Sequence, residues 1–198
     1  MVIPKIIHFV YCGGAIPVEM LAMMATVTDK NPTFISKLWD NDTMAMEGWD
    51  YDELLARFKA PVHVSDYVRL LVIQKYGGIY VDCDVECIRP ITSLLQHEAF
   101  AAPQDGTGQL CPAVFGAVPN HPWINWQIEH ADEYSKPDQP WNVTLMTDAP
   151  REGVTLCPTR WFYPFLWDVP KADRTVAEDT MLIHHWKGSW APWVIRER

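Results

Sequence analysis

The chain reads as an α/β protein of one domain, with three layers built around a mostly parallel central sheet. Two observations carry that expectation. Strand-like and helix-like patterns alternate through about the first hundred residues, which is the order that covers a parallel sheet with helices on both faces. The length of 198 residues, with 48% hydrophobic and 21% charged content, suits one well-buried core and leaves disorder unneeded for any long part of the chain.

The elements follow in order. Residues 5–11 form an apolar run closed by Cys12-Gly13-Gly14, as a buried strand entering a glycine turn does. Pro17 opens a helix over 18–28, which stops before the Asn31-Pro32 turn, and residues 33–39 make a second strand. This is β-α-β order. Residues 40–43 read as a loop, residues 51–58 as a short helix, and a longer helix starts near His63 and runs to Tyr76, where Gly77-Gly78 ends it. On that helix Val64, Val68, Leu71 and Val72 define an apolar face, while Asp66 and Arg69, three apart, share another side. Spacing alone allows either a solvated ion pair or a pair reaching for a ligand.

Residues 79–81 form the strand that delivers Asp82, Pro90 breaks the chain, 91–96 form a short helix, and 99–102 another strand. Beyond Pro103 the sixteen prolines, weighted to this half, cut the pattern into short pieces. Strands are expected at 113–118 and 154–157, a helix at 121–134, a loop at 135–140, and a last strand at 181–184 running into His185-Trp186-Lys187-Gly188-Ser189-Trp190. In parallel sheets ligands gather at the carboxyl ends of the strands, so residues 11–14, 39–42, 82–84 and 184–190 are expected to meet in one crevice.

Composition narrows the function. A net charge of −9 without Lys/Arg clusters argues against an open nucleic-acid surface, so an anionic small substrate would need a cation. The cysteines Cys12, Cys83, Cys87, Cys111 and Cys157 are odd in number and lack paired CxxC spacing, which points to reduced thiols. No apolar run has the length of a membrane span and the first residues read as a strand, so a cytoplasmic protein is expected. Ten tryptophans can serve as core or as stacking faces for sugars and bases.

The chemistry is concentrated in Tyr76-Gly77-Gly78-Ile79-Tyr80-Val81-Asp82-Cys83-Asp84-Val85. Two residues apart on a strand, Asp82 and Asp84 share a face and Cys83 takes the other. Such carboxylates suit Mn²⁺ or Mg²⁺ bound to a phosphate ester, and Asp84 with a late histidine would suffice as protein ligands. A metal-bridged diphosphate is a competent leaving group, because the cation offsets the charge developing on it.

Together with Ser65-Asp66-Tyr67-Val68-Arg69, the opening Ile3-Pro4-Lys5-Ile6-Ile7-His8 and the closing His-x-x-Gly-Ser-Trp at 185–190, this run resembles glycosyltransferase family 32, the DXD-containing sugar transferases, and more distantly the glucosylating domains of clostridial toxins. The resemblance implies a GT-A-type, Rossmann-like fold in one domain over 1–198, with a nucleotide-sugar-binding half at 1–102 and the acceptor side with the closing motif at 103–198. It implies a metal-dependent retaining transfer of a hexose from a uridine or guanosine diphosphate sugar to a saccharide, lipid or protein hydroxyl. Asp84 and His185 would then bind the metal, with His184 facing the core. Asp82, Asp66 and Arg69 would be the catalytic set and hold the donor, Ser189 and Trp190 would close over the diphosphate, and Lys187 would add charge there. His8, Tyr11 and Trp39 are the candidates for the nucleotide. Where the family carries Thr-Gly-Pro, this chain has Thr147-Asp148-Ala149-Pro150, which leaves the acceptor open. Asp148 and Asp179 are the late acids to weigh for a covalent route. The competing expectations are a metal-dependent phosphoryl or nucleotidyl transferase and a sugar-nucleotide-binding protein with weakened turnover.

Overall fold

Strand alternation decides how the layers assemble. In β1 (Ile6–Val10), Ile7 and Phe9 point to one core while Val10 joins the other, and in β3 (Gly78–Val81) Ile79 and Val81 side with the first and Tyr80 with the second. The first core is closed by Met20, Met24 and Val27 of α1 (Val18–Lys30), and the second by Val64, Val68 and Val72 of α4 (Pro61–Tyr76). A sheet buried on both faces needs apolar residues at successive positions, and both strands supply them. The computed structural model describes residues 2–135 and 141–187.

The remaining elements are β2 (Ile35–Trp39), α2 (Asn41–Met46), α3 (Tyr51–Phe58), β4 (Val85–Cys87), β5 (Ala99–Ala101), β6 (Val114–Ala117), α5 (Pro122–Tyr134), α6 (Trp141–Asp148), β7 (Val154–Leu156) and β8 (Leu182–His184). Six strands form one sheet in the order β2-β1-β3-β6-β5-β7. β1 pairs in parallel with β2 and β3, β5 in parallel with β7, and β6 runs against both of its neighbours. The expected mostly parallel three-layer fold is therefore what forms. Among the described residues no helix is long and apolar enough to cross a membrane.

Three elements differ from the sequence reading. Residues 40–43 are not a loop but the start of α2, because the Asp40 carboxylate accepts the Thr43 N–H at 2.9 Å and the Thr43 hydroxyl accepts the Asp40 N–H at 2.8 Å, a capping box that starts a helix. Residues 141–148, given no element from sequence, form α6 around buried Trp141, Leu145 and Met146. Residues 85–87 add β4, which pairs only with β8 in a small antiparallel sheet.

The Gly77-Gly78 turn is required by space. Gly78 has φ +109°, and a Cβ there would stand 2.6 Å from the Ile6 carbonyl oxygen and 3.0 Å from His8 Nε2. His8 itself is fully buried: Trp39 Nε1–H donates to its Nδ1 at 3.0 Å, so Nε2 carries the proton and donates to the Gly77 carbonyl at 2.8 Å. His8 and Trp39, the expected nucleotide contacts, thus spend their side-chain polar atoms inside the protein. Both are interior, each satisfying the other, and His8 and Tyr76 stack against the Trp39 side of the same cluster.

Burial pushes the His8 imidazole down from 6.5 to about 4, so the unfolded chain binds the extra proton first. Its contribution to stability is therefore constant above pH 6.5 and falls by about 3 kcal/mol as the pH drops from 6.5 to 4. Urea unfolding across this window should show His8→Gln losing less stability on acidification than the native chain. Parallel curves would refute the assignment.

Candidate active site

The site is assembled at the carboxyl end of β3 by three pieces of chain far apart in sequence. α4 supplies Asp66 and Arg69. Pro61 at its first turn needs no N–H partner, and nearly every side of the helix is covered, so the two charged residues are buried at 4% and 6% exposure instead of solvated. Arg69 donates to Asp66 Oδ1 at 2.5 Å and to the Pro112 carbonyl at 3.0 Å, and lies 3.4 Å from Asp82 Oδ1. Its guanidinium also covers the Tyr80 ring at 4.7 Å. The solvated-ion-pair reading of 66 and 69 does not survive.

Burial works against charge on all three groups. It pushes the Asp66 carboxyl up against the pull of Arg69, and pushes Asp82 up with help from the nearby Asp84 charge. Burial also opposes the Arg69 charge, but Tyr80, Asp82 and Asp66 hold the guanidinium protonated beyond its usual range. One residue that the sequence reading missed completes this half. Asn142 on α6 donates from Nδ2 to Asp66 Oδ1 at 2.8 Å, and with Asp66, Arg69 and Gln127 it lines a small cavity. Only the packing of α4 and α6 into one core brings position 142 to position 66, so no local pattern could have marked it.

The second half is a turn between β3 and β4. Asp82, Cys83 and Asp84 lie beyond the end of β3, so a turn and not strand alternation gathers the carboxylates. Cys83 does point away, into the core, as expected. Tyr80 donates its hydroxyl to Asp82 Oδ1 at 2.5 Å, which leaves Oδ2 on the open side. Because β8 pairs with β4 in the register Val85↔His184, the late chain arrives beside Asp84.

His184, not His185, meets the aspartates: its Nε2 is 3.3 Å from Asp84 Oδ1 and 3.9 Å from Asp82 Oδ2. The expectation of His185 is corrected by strand alternation, which turns its side chain to Glu86 with Nε2 to Oε2 at 2.9 Å. Asp84 Oδ2 accepts the Lys187 backbone N–H at 2.8 Å. Burial disfavours charge on this pair too, yet the imidazole of His184 holds the Asp84 carboxyl below its usual range, and Asp84 in turn lifts His184 to about 10.

The other expected residues fall as follows. Tyr11 is half-buried just past β1, its N–H bonded to the Trp39 carbonyl at 2.9 Å. The Lys187 side chain is exposed and only its backbone touches Asp84. Ser189 and Trp190 lie outside the described residues. Asp148 accepts from Tyr134 at 3.0 Å, and Asp179 is held by Arg160 at 2.7 Å and Trp161 at 3.0 Å.

One ligand atom each from Asp82, Asp84 and His184 lies within 4.8 Å of the others. Two carboxylates and an imidazole fit a hard-to-borderline divalent ion, Mn²⁺ accepting the nitrogen better than Mg²⁺. Residues 17–101 match the family model for the glycosyltransferase sugar-binding region containing the DXD motif. That region of the chain is similar to the sugar-binding region of the DXD-containing glycosyltransferases. A mannosyl phosphorylinositol ceramide synthase of Saccharomyces cerevisiae is 30% identical over 175 residues, 85% of this chain and 44% of the relative. An inositol phosphoceramide mannosyltransferase of Schizosaccharomyces pombe is 31% identical over 126 residues, 62% of this chain and 35% of its own. The chain thus spans less than half the length of these relatives. The crystal structure of the galactosyltransferase LgtC with donor and acceptor sugar analogues superposes with a TM-score of 0.58 at 15% identity, covering 92% of this chain and 87% of that one, which shows the shared GT-A fold.

Arg69 is the counter-charge for the buried Asp66 and for the half-buried Asp82 beside it. Arg69→Ala should lower unfolding free energy by about 3–5 kcal/mol, since it strands Asp66 and Asp82 without a cation. Urea denaturation decides this, and a loss under about 1 kcal/mol would mean that the acids are neutral without Arg69.

Proposed function

We propose that the protein is a metal-dependent retaining glycosyltransferase that moves a hexosyl unit from a nucleoside-diphosphate sugar to a hydroxyl acceptor. The meeting of Asp82, Asp84 and His184 at the end of β3, beside the buried Asp66–Arg69 pair, carries this reading. Asp84 and His184 would hold Mn²⁺ or Mg²⁺, with Asp82 Oδ2 close by. When bound, that ion offsets the negative charge of the donor diphosphate.

The protein's own groups do the rest. Asp66 and Asp82 accept hydrogen bonds from sugar hydroxyls on the oxygens not taken up by Arg69 and Tyr80, and Arg69 holds them in place and opposes the burial that pushes both carboxyls up. Fixed partners of this kind act on the transition state without reorganising as charge moves. Tyr11, beyond β1, has the place and the ring to stack on a base. Retention by front-face attack, with the departing diphosphate accepting the incoming proton, asks for no carboxylate beneath the sugar ring. The late acids Asp148 and Asp179 are committed to Tyr134 and to Arg160 and Trp161, which favours that route over a covalent one.

Since the matched relatives are named for mannosyl transfer to inositol phosphoceramide, mannosyl donors and inositol-bearing lipid acceptors head the candidates. The test is nucleotide release from a panel of uridine and guanosine diphosphate sugars with Mn²⁺, with and without acceptors. Asp84→Asn and His184→Ala should each cut turnover by at least about 100-fold, whereas His185→Ala should not. Full turnover in Asp84→Asn would sink the metal assignment. Cleavage of nucleoside triphosphates in place of sugar nucleotides would make the protein a phosphoryl or nucleotidyl transferase.

A further inference from the structure

The second of the two residues between the site histidine and Lys187 is unusual. Trp186 sits in the left-handed region with φ 52°, one of three non-glycine residues with positive φ among those described. A bulky residue keeps that conformation only where its surroundings impose it, and such positions concentrate at functional sites. Here the surroundings are explicit. The indole Nε1–H donates to the Phe165 carbonyl at 2.9 Å, and the ring packs on His184 with centroids 4.1 Å apart and planes tilted by 39°. Tyr163 closes the other approaches, 6.0 Å from both rings.

His184 needs such support. A histidine that offers Nε2 to a metal carries its proton on Nδ1, and that N–H is normally held by a carboxylate or carbonyl that fixes the ring. In this protein His184 Nδ1 is buried and has no hydrogen-bond partner. The Cys111 thiol bears on the charge of the ring but makes no hydrogen bond of standard geometry to Nδ1. No carboxylate or carbonyl therefore orients the ring through Nδ1, and the face of Trp186 occupies its flank.

We propose that Trp186 is a positioning residue: its indole, clamped to the Phe165 carbonyl, fixes the His184 ring toward Asp84, and its left-handed backbone turns the Lys187 N–H onto Asp84. One residue thus holds both late contacts to the Asp84 carboxylate, at 3.3 Å through His184 and at 2.8 Å through Lys187. The proposal deepens the metal reading of the same site and rests on it for its second measurement only.

Trp186→Gly, Trp186→Asn and Trp186→Phe separate ring from backbone, because Gly and Asn accept the left-handed conformation without the indole, whereas Phe keeps a ring and loses the N–H. The first measurement is the crystal structure of each metal-free variant. In Trp186→Gly and Trp186→Asn the His184 ring should turn away from Asp84, and in Trp186→Phe it should stay. The second is Mn²⁺ affinity by titration calorimetry or by electron paramagnetic resonance of free Mn²⁺. A loss of about 10–100-fold is expected for Gly and Asn, with rescue to within about threefold by Phe. An unmoved His184 in both ring-less variants would overturn the proposal, whatever their affinity. Absence of Mn²⁺ binding to the native protein would overturn the metal reading, and the ring position would still decide the role of Trp186. Thermal unfolding of each variant identifies any that fails to fold, and the remaining ring-less variant then carries the comparison.

Discussion

Everything at this site depends on placing one guanidinium in the interior. Arg69 is enclosed by α4, by Tyr80 and Asp82 at the end of β3, and by the Pro112 carbonyl, and it is the cation that opposes the burial of the carboxylates beside it. Removing ions from water is costly, and attraction between them repays the cost only where geometry is tight and remaining hydrogen-bond capacity is filled. Asn142 on Asp66 and Tyr80 on Asp82 do that filling. α4 must therefore be docked closely against β3, and the glycines at 77 and 78 are what permit the chain to reverse there without a Cβ striking Pro119 or the Ile6 carbonyl.

A second assembly meets the first across Asp82. The small β4–β8 ladder is only three residues long on each strand, yet it joins positions about a hundred residues apart and fixes which late side chain faces Asp84. Strand alternation gives that choice an all-or-none character, since a shift of one residue would exchange His184 for His185. Asp84 then becomes the junction: its carboxylate takes His184 and the Lys187 amide, and its carbonyl takes the His185 amide at 3.1 Å. The site is consequently a product of two registers, α4 on β3 and β8 on β4, and not of the DXD run alone.

The interior aromatic cluster shows the same economy on the structural side. His8 and Trp39 look like ligand contacts by position, since both lie on strands that lead into the crevice. Their mutual hydrogen bond and the Gly77 carbonyl instead consume every polar atom they own, and their rings stack with Tyr76. A buried polar group needs a partner, and here the partners are internal.

The sequence by itself determined the alternating architecture, most element positions and the acidic and basic residues that carry the chemistry. These follow from short-range physics: apolar periodicity, glycine and proline punctuation, and the motif from Ser65 to Asp84. The Asp40–Thr43 capping box is a local pattern open to reading, but the sequence could not reveal α6 or the choice between adjacent histidines. Those depend on burial and on strand register, in which a one-residue difference reverses a side chain. Only the tertiary structure placed Asn142 on Asp66 and turned His8 and Trp39 inward, because these contacts join segments whose separation in the chain leaves no periodic trace, and it set Trp186 against His184 through a left-handed backbone that the Phe165 carbonyl holds.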